Sequence, residues 1–177
     1  NPGASVGTTS RLSRPRPHLD DKVLAAWNGL MMAAFARAGR VVPGGEVFTE
    51  EAVRAAAFLE RHLWDPATRV LLRRYRNGSA AVPGYAEDYA CVTFGLIELF
   101  QATGDPHWLD WALVLQRRLD ELFWDPAHGG WFSTTGDDPT VLLRLKETYD
   151  GAEPAASSVA ALNLLALSHL TGDADMS

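Results

Sequence analysis

The chain has 177 residues, 47% hydrophobic and 21% charged, a globular composition that excludes a disordered or fibrous protein. Its net charge of −6 offers no basic surface for nucleic acid or anionic lipid. Cys91 is the only cysteine, so the chain cannot form a disulfide framework or a thiolate metal site. No stretch has the length and hydropathy of a signal peptide or membrane span. We therefore expect a cytoplasmic protein without a cofactor or metal.

Helices of two kinds alternate along the chain. Segments that are apolar on nearly every side predict buried helices, whereas segments with a single apolar stripe predict helices with one solvent-facing side. The predicted buried helices are 23–35, 89–100 and 159–167, and the predicted amphipathic helices are 50–64 and 107–124. A buried helix followed by an amphipathic one predicts an inner layer covered by an outer layer.

This pattern repeats with a long period. Leu-Trp-Asp-Pro-Ala at 63–67 is echoed by Phe-Trp-Asp-Pro-Ala at 123–127, an offset of 60 residues. Tetratricopeptide and ankyrin repeats have periods of about 33–34 residues, so they are disfavoured. The extra length lies in the links 68–84 and 128–151, whose β-like runs and turn residues predict short hairpins.

These features predict an all-α chain that forms part of an (α/α)6 toroid, with alternating inner and outer helices. Residues 1–17 are predicted to be an extended N-terminal segment. Residues 18–177 are predicted to form an incomplete toroid domain of about two and a half helical hairpins, and the chain is expected to be a piece of a longer polypeptide. The last inner helix then lacks its outer partner, so Leu162, Leu164 and Leu165 are expected to be exposed.

The starts of the inner helices carry the candidate functional residues. Inner helices that run in the same direction bring their N-termini to one rim of the ring. Paired carboxylates there supply an acid and a base for chemistry at a sugar carbon, and aromatic rings stack on sugar faces. The catalytic candidates are Asp21, Glu87, Asp88, Asp150 and Glu153, and the substrate-binding candidates are His18, Asp20, Lys22, Trp27, Asn28, Tyr89, Lys146 and Tyr149.

Helix capping is the competing interpretation of these acids. A carboxylate in the first turn of a helix stabilises it by about 0.3–1 kcal/mol. One N-cap needs a single acceptor, however, and adjacent pairs such as Glu87 and Asp88 exceed that need. Because neighbours on a helix lie about 100° apart, we expect one of this pair to face the ring cavity and the other to face backbone amides. Crowding of like charges is expected to raise at least one carboxylate pKa.

Three motifs at these helix starts resemble the spermatogenesis-associated protein 20 family. They are His-Leu-Asp-Asp-Lys-Val-Leu at 18–24 with Trp-Asn-Gly-Leu-Met at 27–31, Tyr-Ala-Glu-Asp-Tyr-Ala at 85–90, and Lys-Glu at 146–147 with Tyr-Asp-Gly-Ala-Glu-Pro at 149–154. The resemblance implies a toroid like those of six-hairpin glycosidases and N-acylglucosamine 2-epimerases. It also implies an N-terminal thioredoxin-like domain and further hairpins in the full-length protein.

Two classes of function remain open from the sequence. One is an enzyme that hydrolyses a glycosidic bond or isomerises a sugar, with His18 as a possible acid/base partner in the second reaction. The other is a non-catalytic scaffold whose rim binds a glycan or a partner domain and whose acids only cap helices. Both readings place a sugar, glycan or protein partner at the rim and neither implies nucleic acid or a membrane.

Overall fold

The computed structural model describes residues 19–137 and 141–173; the predicted N-terminal segment 1–17 and the candidate His18 lie outside them. The described helices are α1 (Ala25–Val41), α2 (Glu46–Leu63), α3 (Ala86–Thr103), α4 (Pro106–Phe123) and α5 (Ala156–Thr171). The described strands are β1 (Val23–Leu24), β2 (Trp64–Asp65), β3 (Val70–Arg76) and β4 (Ser79–Pro83). No helix among the described residues combines the length and apolar character needed to cross a membrane.

The helices form two layers. Helix α3 packs between α1 and α5, while α2 covers α1 and α4 covers α3. Helix α3 is buried along most of its length, as its all-round apolar sequence predicts, whereas α2 and α4 bury one stripe each. The chain is therefore an all-α segment of an (α/α)6 toroid, with α1, α3 and α5 as consecutive inner helices.

Helices α1 and α3 approach each other so closely that glycine is required between them. A Cβ atom on Gly29 would lie 2.4 Å from the carbonyl carbon of Cys91, and one on Gly95 would lie 2.6 Å from the carbonyl oxygen of Gly29. Such contacts are too short for any side chain. The two glycines therefore allow the close packing of α1 against α3, and this packing sets the relative positions of their N-termini.

The first link forms the predicted hairpin, but the second does not. Strands β3 and β4 pair around a turn at Asn77 and Gly78, both with positive φ, and β3 also pairs antiparallel with β1 and β2. In the described parts of the second link, 128–137 and 141–151, there is no strand, only an isolated bridge between Trp124 and Trp131. The predicted strands are absent from these described residues. The N–H of Phe132 donates instead to the carbonyl of Phe123 at the end of α4, while the N–H of Ser133 donates across the link to the carbonyl of Leu145.

Helix α5 is anchored on one side and exposed on the other. The buried Asn163 amide donates to the carbonyl of Ala90 in α3 at 2.9 Å, which fixes α5 against that helix. On its other side Leu162 is 50% exposed and Leu165 is 62% exposed, while Leu164 is half-buried. This confirms the predicted exposure of Leu162 and Leu165.

Candidate functional site

The starts of α1, α3 and α5 are joined by direct side-chain contacts. Asp88 in the first turn of α3 accepts a hydrogen bond from the backbone N–H of Ala26 in α1, at 3.2 Å. The indole N–H of Trp27 in α1 donates to Glu153, just before α5, at 2.8 Å. We call this side of the helical layer, where the three inner helices begin, the rim.

Asp88 is a buried structural anchor. Its side chain is 1% exposed, and it also accepts from the backbone N–H of Tyr85 at 2.9 Å and from Arg73 at 2.8 Å. One carboxylate therefore satisfies amides at the starts of both α1 and α3. Burial raises the pKa of Asp88 even though these hydrogen bonds and the Arg73 charge act in the opposite direction.

These contacts bear on two expectations about Asp88. It was a catalytic candidate, yet it is enclosed and its oxygens are engaged by three donors from three segments. Its pKa is raised as expected for one rim carboxylate, but burial is the main cause and the neighbouring Glu87 charge is the smallest contribution. The expectation that one member of the pair turns toward backbone amides is confirmed.

Glu87 is the more accessible member of the pair and contacts Arg73. The side chains of both residues are 27% exposed, and Nη1 of Arg73 lies 2.5 Å from Oε1 of Glu87. The guanidinium of Arg73 also lies over the ring of Tyr85, 4.8 Å from its centroid. Arg73 was missed from the sequence. The available signal is strand alternation, because Arg73 is two residues from the buried Leu71 and so lies on the same face of β3.

The acidic run before α1 is held by two cations. Asp20 pairs with Lys22 at 3.2 Å, and the Lys22 side chain lowers the pKa of the exposed Asp20. Oδ1 of Asp21 lies 2.5 Å from Nε of Arg76, although Nε has no partner with hydrogen-bond geometry, so this contact is an ion pair. The antiparallel pairing of Val23 with Tyr75 places Asp21 beside this end of β3. About half of the Asp21 side chain remains exposed.

Trp27 and Glu153 form an exposed clasp across the rim. Trp27 is 57% exposed although it belongs to an inner helix, and its hydrogen bond to Glu153 fixes the orientation of the indole. The charges of Asp88, Glu87 and Glu153 each add to the rise in the pKa of the buried Cys91 thiol. Burial is the main reason that the pKa of Cys91 rises to about 12.

Asp150 and Lys146 serve the local structure of the second link. Asp150 accepts from the backbone N–H of Ala155 at 2.8 Å and from the hydroxyl of Ser158 at 3.2 Å, which ties the link to the start of α5. Lys146 lies 2.6 Å from Asp125 and donates to a backbone carbonyl, which ties the link to the turn after α4. Both residues were site candidates, and their contacts here are structural.

The remaining candidates separate into buried and exposed groups. Tyr89 is 1% exposed, and its hydroxyl accepts from the backbone N–H of Leu71 at 2.9 Å, which corrects the expectation that it faces a ligand. Asn28 donates to the carbonyl of Leu24, the residue just before its helix. Tyr149 is 79% exposed. Among residues 19–137 and 141–173, no group of three or more His, Cys, Asp or Glu side chains is arranged to hold a metal ion.

No protein-family profile matches the chain. Solved structures share its fold at low sequence identity. A family 76 α-mannanase from Bacteroides thetaiotaomicron superposes with a TM-score of 0.69 at 10% identity, over 92% of this chain and 40% of the mannanase. Cellobiose 2-epimerase from Bacillus thermoamylovorans superposes with a TM-score of 0.70 at 16% identity, over 91% of this chain and 43% of the epimerase.

A third structure with this fold, at a TM-score of 0.62 and 13% identity, is an inactive double Asp-to-Asn variant of an α-1,6-mannanase from Salegentibacter in complex with α-1,6-mannotriose. The superposition spans 87% of this chain and 44% of the Salegentibacter mannanase. The fold is therefore that of a segment of an (α/α)6 toroid.

Sequence comparison relates the chain to a protein family. Over 99% of its length the chain is 45% identical to spermatogenesis-associated protein 20 from Rattus norvegicus and 43% identical to the protein of that name from Homo sapiens. The chain thus matches the spermatogenesis-associated protein 20 family in sequence, as its three motifs predict. It spans about a quarter of the length of these relatives, 23% in each case.

Proposed function

We propose that the rim binds carbohydrate and contributes to hydrolase-like or epimerase-like chemistry in the full-length protein. The observation that carries this proposal is the clasp of Trp27 and Glu153, an exposed indole held in a fixed orientation beside carboxylates. An aromatic face next to oriented polar groups suits a sugar ring, whose CH faces are apolar and whose edges carry hydroxyls.

The fold supports the same proposal. Structures with this fold include an α-mannanase, a cellobiose 2-epimerase and a mannanase bound to mannotriose. Their low identity to this chain relates the folds alone, so the sugar and the reaction remain part of the proposal. We also propose a reducing, cytoplasmic location, consistent with the buried thiol of Cys91, and a thioredoxin-like domain and further hairpins in the remainder of the protein.

The carboxylates best suited to contact a ligand are Asp21, Glu87 and Glu153, which are only partly buried or exposed. Asp88 and Asp150 are engaged by backbone amides and are assigned to positioning. The separation of the two reacting carboxyl groups distinguishes the chemistries, since about 5–5.5 Å suits a retaining hydrolase and about 6.5–9.5 Å an inverting one.

The test uses the full-length protein and a panel of mannose, glucose, cellobiose and α-1,6-mannobiose. Calorimetry measures binding, and separate assays follow reducing-end release and C2 epimerisation. Replacing Trp27 by Ala or Glu153 by Gln is expected to weaken sugar binding at least tenfold, which corresponds to about 1.4 kcal/mol. Glu51→Gln is the matched control, because Glu51 pairs with Arg54 within the outer helix α2, away from the rim.

A non-catalytic scaffold is the second candidate. It is favoured by the engagement of Asp88 and Asp150 at helix starts, since acids used in this way are not free for acid/base chemistry. If no sugar of the panel binds the wild-type protein, while Asp88→Asn destabilises it, the scaffold takes precedence over the carbohydrate site.

A further inference from the structure

A cleft of about 300 Å³ opens where β4 enters α3, beside the rim. Tyr85 and the end of β4 form one wall, and Thr134, Thr135 and Asp137 of the second link form the other. The volume is at the lower end of the range for small-molecule sites, about 300–1,000 Å³. We call this the Tyr85 cleft.

Tyr85 presents a fixed aromatic ring to this cleft. The ring is 39% exposed, and the Arg73 guanidinium packs on it at 4.8 Å. Arg73 is itself held by Glu87 and Asp88, so the ring rests on a restrained cation. The backbone of Tyr85 is also fixed, because its N–H donates to Asp88.

Two features of the walls are energetically unfavourable in the free protein. The Oγ1 atom of Thr134 is buried and has no hydrogen-bond partner within the part of the chain that the structure describes. A hydroxyl buried in this way costs free energy unless something pairs with it. Val82, also in the wall, has a φ of +66°, which is rare for a β-branched residue and is typical of strained functional sites.

The cleft and the clasp of Trp27 and Glu153 are built on the same carboxylate. Asp88 accepts from the N–H of Tyr85 with one oxygen and from the N–H of Ala26, the residue before Trp27, with the other. The two aromatic rings therefore belong to adjacent helix starts whose spacing a single buried side chain fixes.

We infer that the Tyr85 cleft is a second sugar-ring subsite, so that the rim takes an oligosaccharide of at least two rings, with one ring on Trp27 and another on Tyr85. This inference rests on the proposed carbohydrate function. Tyr85 supplies the stacking face, and the Asp137 carboxylate accepts from a ligand hydroxyl. The Thr134 hydroxyl, which is enclosed in the free protein, turns toward the cleft to pair with another ligand hydroxyl. Asp88 is a positioning residue that holds the two platforms in register.

The experiment compares ligand lengths in the full-length protein. Calorimetry measures the affinity for mannose and α-1,6-mannotriose, and for glucose and cellotriose. Tyr85→Ala and Thr134→Val are each expected to weaken trisaccharide binding about tenfold while monosaccharide affinity stays within about twofold. Tyr85→Phe keeps the ring and is the matched control, which is expected to bind like the wild type.

Thr134→Val also separates binding from folding. Because its buried hydroxyl has no partner in the described residues, the isosteric change is expected to leave the melting temperature equal or higher. Equal losses for both ligand lengths, or unchanged trisaccharide binding in both variants, would overturn the second subsite while leaving the rim proposal intact. Absence of sugar binding to the wild-type protein would overturn the proposed function and this inference with it.

Discussion

Asp88→Asn tests the structural role of the rim most directly. The carboxylate accepts from two backbone amides and from Arg73, and its side chain is 1% exposed. An Asn side chain has only one acceptor oxygen, and its NH2 group must face at least one of these donors. The neutral amide also removes the buried partner of the Arg73 charge.

The magnitude follows from these losses. Breaking a buried ion pair by removing one partner costs about 3–5 kcal/mol, and each buried donor left unpaired costs about 1–3 kcal/mol. Arg73 is partly exposed and retains Glu87, so we expect the lower end, about 3 kcal/mol. If Asp88 were a catalytic residue, as the sequence suggested, this variant would lose sugar binding with its melting temperature nearly unchanged or higher. The buried position of Asp88 reverses that expectation for stability.

Hydrogen exchange of the full-length protein provides the assay. A loss of about 3 kcal/mol corresponds to an increase of about 100-fold in exchange at the amides of Ala26 and Tyr85. Glu87→Gln is the control, because its partly exposed pair with Arg73 is worth at most about 1 kcal/mol. Unchanged protection in Asp88→Asn, together with lost sugar binding, would refute the anchoring role and return Asp88 to the ligand site.

Three further predictions address the same region. Gly29→Ala is expected to lower the free energy of unfolding by about 1–2 kcal/mol in chemical denaturation, because overpacking against the Cys91 backbone outweighs the gain in helix propensity. A stabilised variant would contradict the close approach of the two helices. Cys91, buried and with a pKa of about 12, is expected to resist alkylation at pH 8 until the protein unfolds, so rapid native-state labelling would contradict its burial. The NMR titration of Asp88 is expected to give a pKa above 3.8. The folded protein then binds the proton more tightly than the unfolded chain, so this group stabilises the fold below pH 3.8 and loses that contribution as the pH rises through its folded pKa. A pKa below 3.8 would show that the charge of Arg73 outweighs burial.

The layered fold was predictable because burial leaves a direct mark on sequence. Helix α3 is apolar on all sides and α4 on one stripe, and the structure assigns them to the inner and outer layers accordingly. The turn at Asn77 and Gly78 was also predictable, because few residue types adopt the positive φ that this turn requires. The second link was mispredicted because its apolar run depends on tertiary partners, and Leu142 in that run is fully exposed.

The roles of individual acids were less predictable. Glu87 and Asp88 are neighbours of similar chemistry. Which of the two is buried depends on the positions of two donors, a backbone N–H at the start of α1 and the guanidinium of Arg73 in β3. Those positions are set by contacts between segments far apart in sequence, such as the close approach at Gly29. The role of Tyr89 was equally hard to predict, because its hydroxyl accepts a hydrogen bond from a strand amide that no local sequence pattern identifies.

The carboxylates of the rim thus differ in the number of hydrogen-bond donors that each one contacts. Asp88 holds two helix starts together, so a change in its protonation would disturb the positions of Tyr85 and Trp27 as well as its own charge. Glu87 and Glu153 each bind a single side chain, Arg73 and Trp27 respectively, through one oxygen. On the proposed function, acid/base chemistry therefore falls to Glu87 and Glu153, with Asp88 fixing the frame between them.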